Sequence, residues 1–390
     1  MSSSLSLPSA GPVPQGPVRR VLLVSADIGR GHNAAGEALV ERVHELWPGS
    51  EVCWVDTLDA MGPGVGWTLR HLYVMNIGLT PWLYEFFWAS LWRHRWFSRA
   101  SKAFVGAWAG RRLARTVAEF GPDLILSTYP LGSAGLAWLR NHRGLGVPIG
   151  AWVSDFAPHP FWVYPQLDLN LVVHPAALPV AAVAAPGAAL GVCGPLVTRR
   201  FRPGDRVEAV RLCRLDPSRQ TVVVSCGSYG FGAVEEAITA LTGIGDGLQV
   251  VAVCGRNRRL ADRLAALDVP AGRLVVRGWV DDMPVLLRAA DLVVTNAGGV
   301  TALEAWATGV PVVMYRPIAA HGAANAALMT AAGLAETAHT PAALTACVRT
   351  RLAAPATAGG RSGTRPSTSQ PGYDVLPDFG LPALAAAGTA

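Results

Sequence analysis

Short apolar runs bounded by turn residues recur along this chain, each followed by a loop and then, in most cases, by a stretch with helical spacing. That alternation leaves few folds open, because parallel strands need crossover helices and become buried on both faces once the helices cover them. Val21–Ser25, Val52–Val55, Leu124–Ser127, Ile149–Ser154 and Leu169–Val173 form a first set of expected strands. Thr221–Ser225, Gln249–Val253, Arg273–Val276, Asp291–Thr295 and Pro311–Tyr315 form a second. Between them runs GPLVTRRFRPGD, from Gly194 to Asp205, rich in Gly, Pro and Arg. The expected fold is therefore α/β, with two Rossmann-like domains at 20–198 and 199–353. The flanks, 1–19 and 354–390, lack apolar periodicity and read as flexible tails.

With 390 residues the chain is too long for one ordinary core, and 51% hydrophobic against 15% charged residues excludes general disorder. The long uncharged run from Ala177 to Val197 is broken by Pro179, Pro186 and Pro195, so it does not read as a spanning helix. The N-terminus shows no basic start followed by an apolar block, and a cytoplasmic protein is expected. The six cysteines are scattered without a Cys-x-x-Cys pair, which suggests neither zinc nor disulfides. Charge is uneven. Residues Trp67 to Arg115 hold eight of the 33 Lys and Arg but only one of the 27 acids, Glu85.

Five constellations can carry chemistry. In Ser25-Ala-Asp-Ile-Gly29-Arg-Gly31-His32, glycines let backbone approach a ligand between a strand and a helix expected near Asn33. His32 can take a proton from an acceptor hydroxyl or simply cap the helix, and Asp27 can orient it. Cys226-Gly227-Ser228-Tyr-Gly-Phe-Gly232 leads into another helix and suits a diphosphate, although a plain turn has the same signature. Asn296-Ala-Gly298-Gly299 precedes Glu304, a carboxylate among apolar helix neighbours that can accept from ribose hydroxyls. Asp155, His159 and Trp162 follow a strand of the first domain, where they can serve an acceptor or cap a loop. Finally, Trp67 to Trp108 holds six of the 13 tryptophans. There Trp88, Trp92 and Trp96 alternate with Arg93, Arg95, Arg99 and Lys102. This suits an anionic bilayer interface; an aromatic helical core is the structural alternative, and no nucleic-acid motif accompanies it.

Taken in order, these stretches resemble the monogalactosyldiacylglycerol synthase and processive diacylglycerol glucosyltransferase family, of glycosyltransferase family 28. SADIGRGHNAAGEAL, VSDFAPHPFW, CGSYGFG, VCGRNRRL, GWVDDMPVLLRAADLVVTNAGGVTALEA and GVPVVMYRPI carry the resemblance across most of 20–335. It implies the GT-B fold, in which a lipid-acceptor domain and a UDP-sugar domain face each other across a cleft. It also implies transfer of a hexose with inversion, without a catalytic metal or other cofactor, by a protein peripheral to the inner face of the cell membrane. His32 would be the general base or a closely associated acceptor-side residue, with Asp155 the second catalytic candidate. Gly227, Ser228, Gly298 and Gly299 would border the diphosphate, Glu304 the ribose, and Val280 the uracil. Gly29 and Gly31 would stand on the acceptor side. The chain departs from the family at Arg30, inside the first glycine motif. It departs again after Arg316-Pro317, where a Gln- and acid-rich sugar-contacting stretch becomes Ala320-His321-Gly-Ala-Ala-Asn325. His321 and Asn325 are the donor-side candidates there, and the sugar is left open. A non-lipid acceptor, a nucleotide-sugar epimerase and an idle binder are the alternative readings.

Overall fold

The computed structural model describes residues 20–28, 30–297 and 299–353, with Arg30 by its backbone alone. The expected tails, together with Gly29 and Gly298, lie outside the described residues. The first half of the chain forms β1 (Arg20–Ser25), β2 (Glu51–Asp56), β3 (Leu124–Ser127), β4 (Ile149–Val153), β5 (Leu169–Val172) and β6 (Leu190–Val192). Its helices are α1 (Arg30–Leu46), α2 (Thr57–Met61), α3 (Val65–Gly78), α4 (Pro81–Arg93), α5 (Arg95–Phe120), α6 (Pro130–Arg143) and α7 (Leu178–Ala184). The second half forms β7 (Gln220–Ser225), β8 (Leu248–Val253), β9 (Leu274–Arg277), β10 (Leu292–Thr295), β11 (Val312–Tyr315) and β12 (Ala335–Ala338). Around them lie α8 (Arg206–Leu212), α9 (Val234–Thr242), α10 (Arg258–Ala265), α11 (Met283–Ala289), α12 (Val300–Ala307), α13 (His321–Ala331) and α14 (Pro341–Ala353).

Both sheets are parallel, in the orders β2-β1-β3-β4-β5-β6 and β12-β11-β10-β7-β8-β9. Two edge strands, β6 and β12, were not expected. β6 is only Leu-Gly-Val inside an Ala- and Gly-rich run, and β12 reads Ala-Glu-Thr-Ala, so neither stands out as a bounded apolar strand. The central strands β1 and β7 are Val- and Leu-rich and buried on both faces, as a strand with helices above and below must be.

Strand order fixes where ligands go. The chain passes from β1 to β2 on one side and later places β3 on the other, so a crevice opens between the C-terminal ends of β1 and β3. The same reversal occurs between β7 and β10. Phe156, fully buried just after β4, packs 5.9 Å from Trp306 of α12 and belongs to the core of the second half. Between the halves, Arg199 pairs with Glu45 of α1 at 2.6 Å, and its backbone N–H donates to Glu41 at 2.8 Å.

Candidate active site

The C-terminal edges of both sheets border one cavity of about 500 Å³. Gly31 and His32 enter it from α1, and Asp155 from the loop after β4. From the other half come Gly227 and Ser228 after β7, Val280 after β9, and Gly299 and Glu304 of the β10–α12 turn and helix. The helix that carries His32 begins at Arg30, three residues before the expected start. His32 thus stands in the first turn of α1, where the positive end of the helix disfavours a charged imidazole. Gly31 brings the two halves close together, since a Cβ there would lie 3.2 Å from the Val300 side chain of α12, which would have to give way slightly.

His32 Nδ1 lies 2.8 Å from the Thr128 carbonyl at the end of β3. A carbonyl only accepts, so Nδ1 carries the proton and Nε2 is the basic nitrogen. Burial pushes the imidazole pKa below its ordinary value; Asp155 and the Thr128 carbonyl oppose that shift, and His321 reinforces it. The result is a neutral base at neutral pH, with its tautomer set by the backbone. Asp27 does not orient it. Its carbonyl accepts from Arg70 of α3 at 2.8 Å and its N–H donates to Asp56 at 2.6 Å, which fastens the loop to the neighbouring helices.

Asp155 accepts from the Trp162 indole N–H at 2.6 Å and from Asn325 Nδ2 at 3.2 Å. Trp162 is buried at 2% exposure, so it positions Asp155 and does not offer a face to an acceptor. His159 Nδ1 accepts from the Phe161 N–H at 3.0 Å, and burial pushes its pKa down to about 4. It is a loop cap against Trp88, whose ring lies 4.3 Å away. Asn325, expected on the donor, is a correction. Fully buried, it accepts from the Ala157 N–H at 2.7 Å and donates to Asp155 and to the Ala297 carbonyl, so its amide joins the two halves of the molecule.

On the donor side, Gly227 has φ +71°, a conformation that favours glycine and aims the turn into the cavity. The helix it leads towards, α9, begins with Glu235 and Glu236 in its first turn, which opposes an anion there. By contrast α12 begins at Val300 with no side-chain cap and no acid in its first turn. Its amide end is the better cradle for a diphosphate. His321, at the start of α13, lines the same cavity, and its Nδ1 is hydrogen-bonded to the Tyr84 hydroxyl at 3.1 Å.

Residues 32–180 match the family model described as monogalactosyldiacylglycerol (MGDG) synthase, and residues 221–346 the one described as glycosyltransferase family 28 C-terminal domain. The chain belongs to this family of glycosyltransferases. It is 26% identical over 325 residues to the processive diacylglycerol beta-glucosyltransferase of Bacillus subtilis, spanning 79% of this chain and 80% of that one. The protein of the same name from Bacillus cereus is 24% identical over 306 residues, 77% of this chain and 76% of that one. Among solved structures, the glycotransferase of kitacinnamycin superposes with a TM-score of 0.57 at 17% identity, covering 96% of each chain. MurG of Acinetobacter baumannii does so with a TM-score of 0.54 at 19% identity, covering 86% of this chain and 91% of that one. The fold is GT-B.

In this glycosyltransferase the tryptophan-rich segment becomes α3, α4 and part of α5, and it is not an aromatic core. α4 has no buried residue, and Trp82, Phe86 and Trp96 are 66%, 63% and 71% exposed. Arg93, Arg95 and Arg99 are exposed beside them. Trp88 and Trp92 turn inward and are half-buried. Lys102 also leaves the surface set: its ammonium donates to the Val163 carbonyl at 2.9 Å, lies 4.1 Å from the Tyr164 ring centre, and is pushed down to about 8 by burial. Among the described residues no helix is long and apolar enough to cross a membrane.

Thr128, Tyr73 and Tyr84 were missed. Thr128 follows a strand whose neighbour in the sheet is β1, which only the strand order reveals. Tyr73 lines the cavity from α3, and Tyr84 reaches His321 from α4; neither sits in a glycine motif, so no local signal marked them.

Proposed function

We propose that this glycosyltransferase moves a hexose from a UDP-sugar to a hydroxyl of a diacylglycerol-type lipid at a membrane surface, with inversion. The presence of His32 and Glu304 in one cavity, each on a helix of a different half, carries the reading. His32 Nε2 takes the hydroxyl proton as the acceptor oxygen bonds to the anomeric carbon. The bond from that carbon to the diphosphate oxygen breaks, and its electron pair leaves with UDP. Asp155 supplies negative charge near the imidazolium that forms, and the N-terminus of α12 meets the charge growing on the diphosphate. Attack and departure on opposite faces of the sugar invert it. The division at 198/199 then separates the acceptor side from the donor side.

Mass spectrometry of lipid products from a panel of UDP-sugars tests the reaction, and UDP-sugar interconversion without acceptor would favour an epimerase instead. Glu304→Ala should weaken UDP binding by about 1 to 3 kcal/mol, the range for a hydrogen bond to a charged group. Unchanged calorimetric affinity would remove Glu304 from the ribose.

The exposed Trp82, Phe86 and Trp96 beside Arg93 and Arg95 support docking to the anionic inner face of the cell membrane. Vesicle flotation should require anionic lipid and weaken as salt rises. Equal flotation with neutral vesicles at low and high salt would exclude the electrostatic part.

A further inference from the structure

A second cavity, of about 400 Å³, lies between the two halves of the molecule. It is lined by Trp88 and Trp92 of α4, by Pro158, and by Ala324, Ala327 and Ala331 of α13. The remaining lining, Ala157, Val180 and Leu328, is equally apolar. A water molecule needs several polar partners to stay in such a space, and these side chains supply almost none. The three alanines recur on one face of α13, so short side chains stand where longer ones would close the helix against α4.

The groove lies beside the larger cavity, and the residues that line the two are in contact. Trp88 lies edge-on to His159 at 4.3 Å and 6.2 Å from His321, which lines that cavity. Asn325, next to Ala324, is bonded to Asp155, which lines it too. Trp82 and Phe86, on the same helix as Trp88, are exposed. A ligand with one reactive polar end and a long hydrocarbon part matches this sequence of surfaces from His32 to solvent.

We infer that the groove holds one acyl chain of the lipid acceptor and so brings its hydroxyl end to His32. This rests on the lipid-acceptor reading above and adds a chain-length specificity to it. Each methylene drawn from water into the groove should raise kcat/KM about fourfold until the groove is full.

The test measures kcat/KM for diacylglycerols short enough to stay monomeric in water, below their aggregation concentration, that differ only in acyl length. Wild type is compared with Ala327→Trp, which fills the groove from an exposed helix position, and with Ala346→Trp, an exposed change on α14 that lines neither cavity. Wild type and Ala346→Trp should show a rise with chain length and then a plateau. Ala327→Trp should flatten that rise and lower the long-to-short ratio at least about tenfold, with UDP affinity unchanged. The same ratio in all three proteins, or an equal loss by Ala327→Trp at every length, overturns the groove. Failure of UDP-binding wild type to glycosylate any diacylglycerol overturns the lipid-acceptor reading, and the groove with it.

Discussion

His32→Ala should lower turnover by about 10² to 10⁴-fold while UDP affinity stays close to wild type. The acceptor hydroxyl must lose its proton as it attacks, and His32 presents a neutral imidazole whose Nδ1–H is held by Thr128. The candidate donor contacts come mainly from the other half of the chain, so binding should be spared. The pH dependence has a definite sign. Burial lowers the pKa of His32, so the base stays neutral through pH 6.5, and the acid limb of the rate profile should fall below that value. Sugar transfer and UDP calorimetry on the same folded variant decide the matter. Near-normal turnover would remove His32 from the mechanism.

Asp155→Ala should change stability and chemistry together. The buried Trp162 N–H would lose its acceptor and Asn325 one of its partners, at a cost of about 1 to 3 kcal/mol in a denaturation experiment. Asp155 raises the His32 pKa, so its removal should move the acid limb to still lower pH and weaken the base. Turnover should drop as well, because the imidazolium formed during attack loses its counter-charge. Asp155→Asn keeps an oxygen for Trp162 and should recover part of the stability without restoring the limb. An unmoved limb in both variants would leave Asp155 a structural role alone.

Those two residues also mark how far the sequence could be read. His32 was visible because a glycine motif after an apolar run announces a strand-to-helix turn, and the position of that turn is a local property. Asp155 was visible for a similar reason, as the polar residue following β4. Their relation was not visible. His32 takes its tautomer from Thr128, 96 positions later in the chain, and Asp155 is held by Asn325 from the opposite half. Asn325 looked like a sugar contact in its own segment, yet the packing of two domains uses its whole amide. Lys102 shows the same limit. It sits among arginines in sequence, but the turn of α5 directs it towards Val163 and Tyr164.

From the sequence alone came the alternation of strands and helices, the three glycine turns and the excess of tryptophan and arginine in one segment. All of these depend on periodicity and on residues close together in the chain. The tertiary structure alone decided that β1 lies beside β3 and β7 beside β10, and that α12 offers the freer helix end. It also decided that α4 exposes Trp82 and Phe86 while turning Trp88 inward. The reason is physical. Strand order and helix facing are settled by burying apolar area between segments far apart in the chain, and the site lies where those distant choices meet.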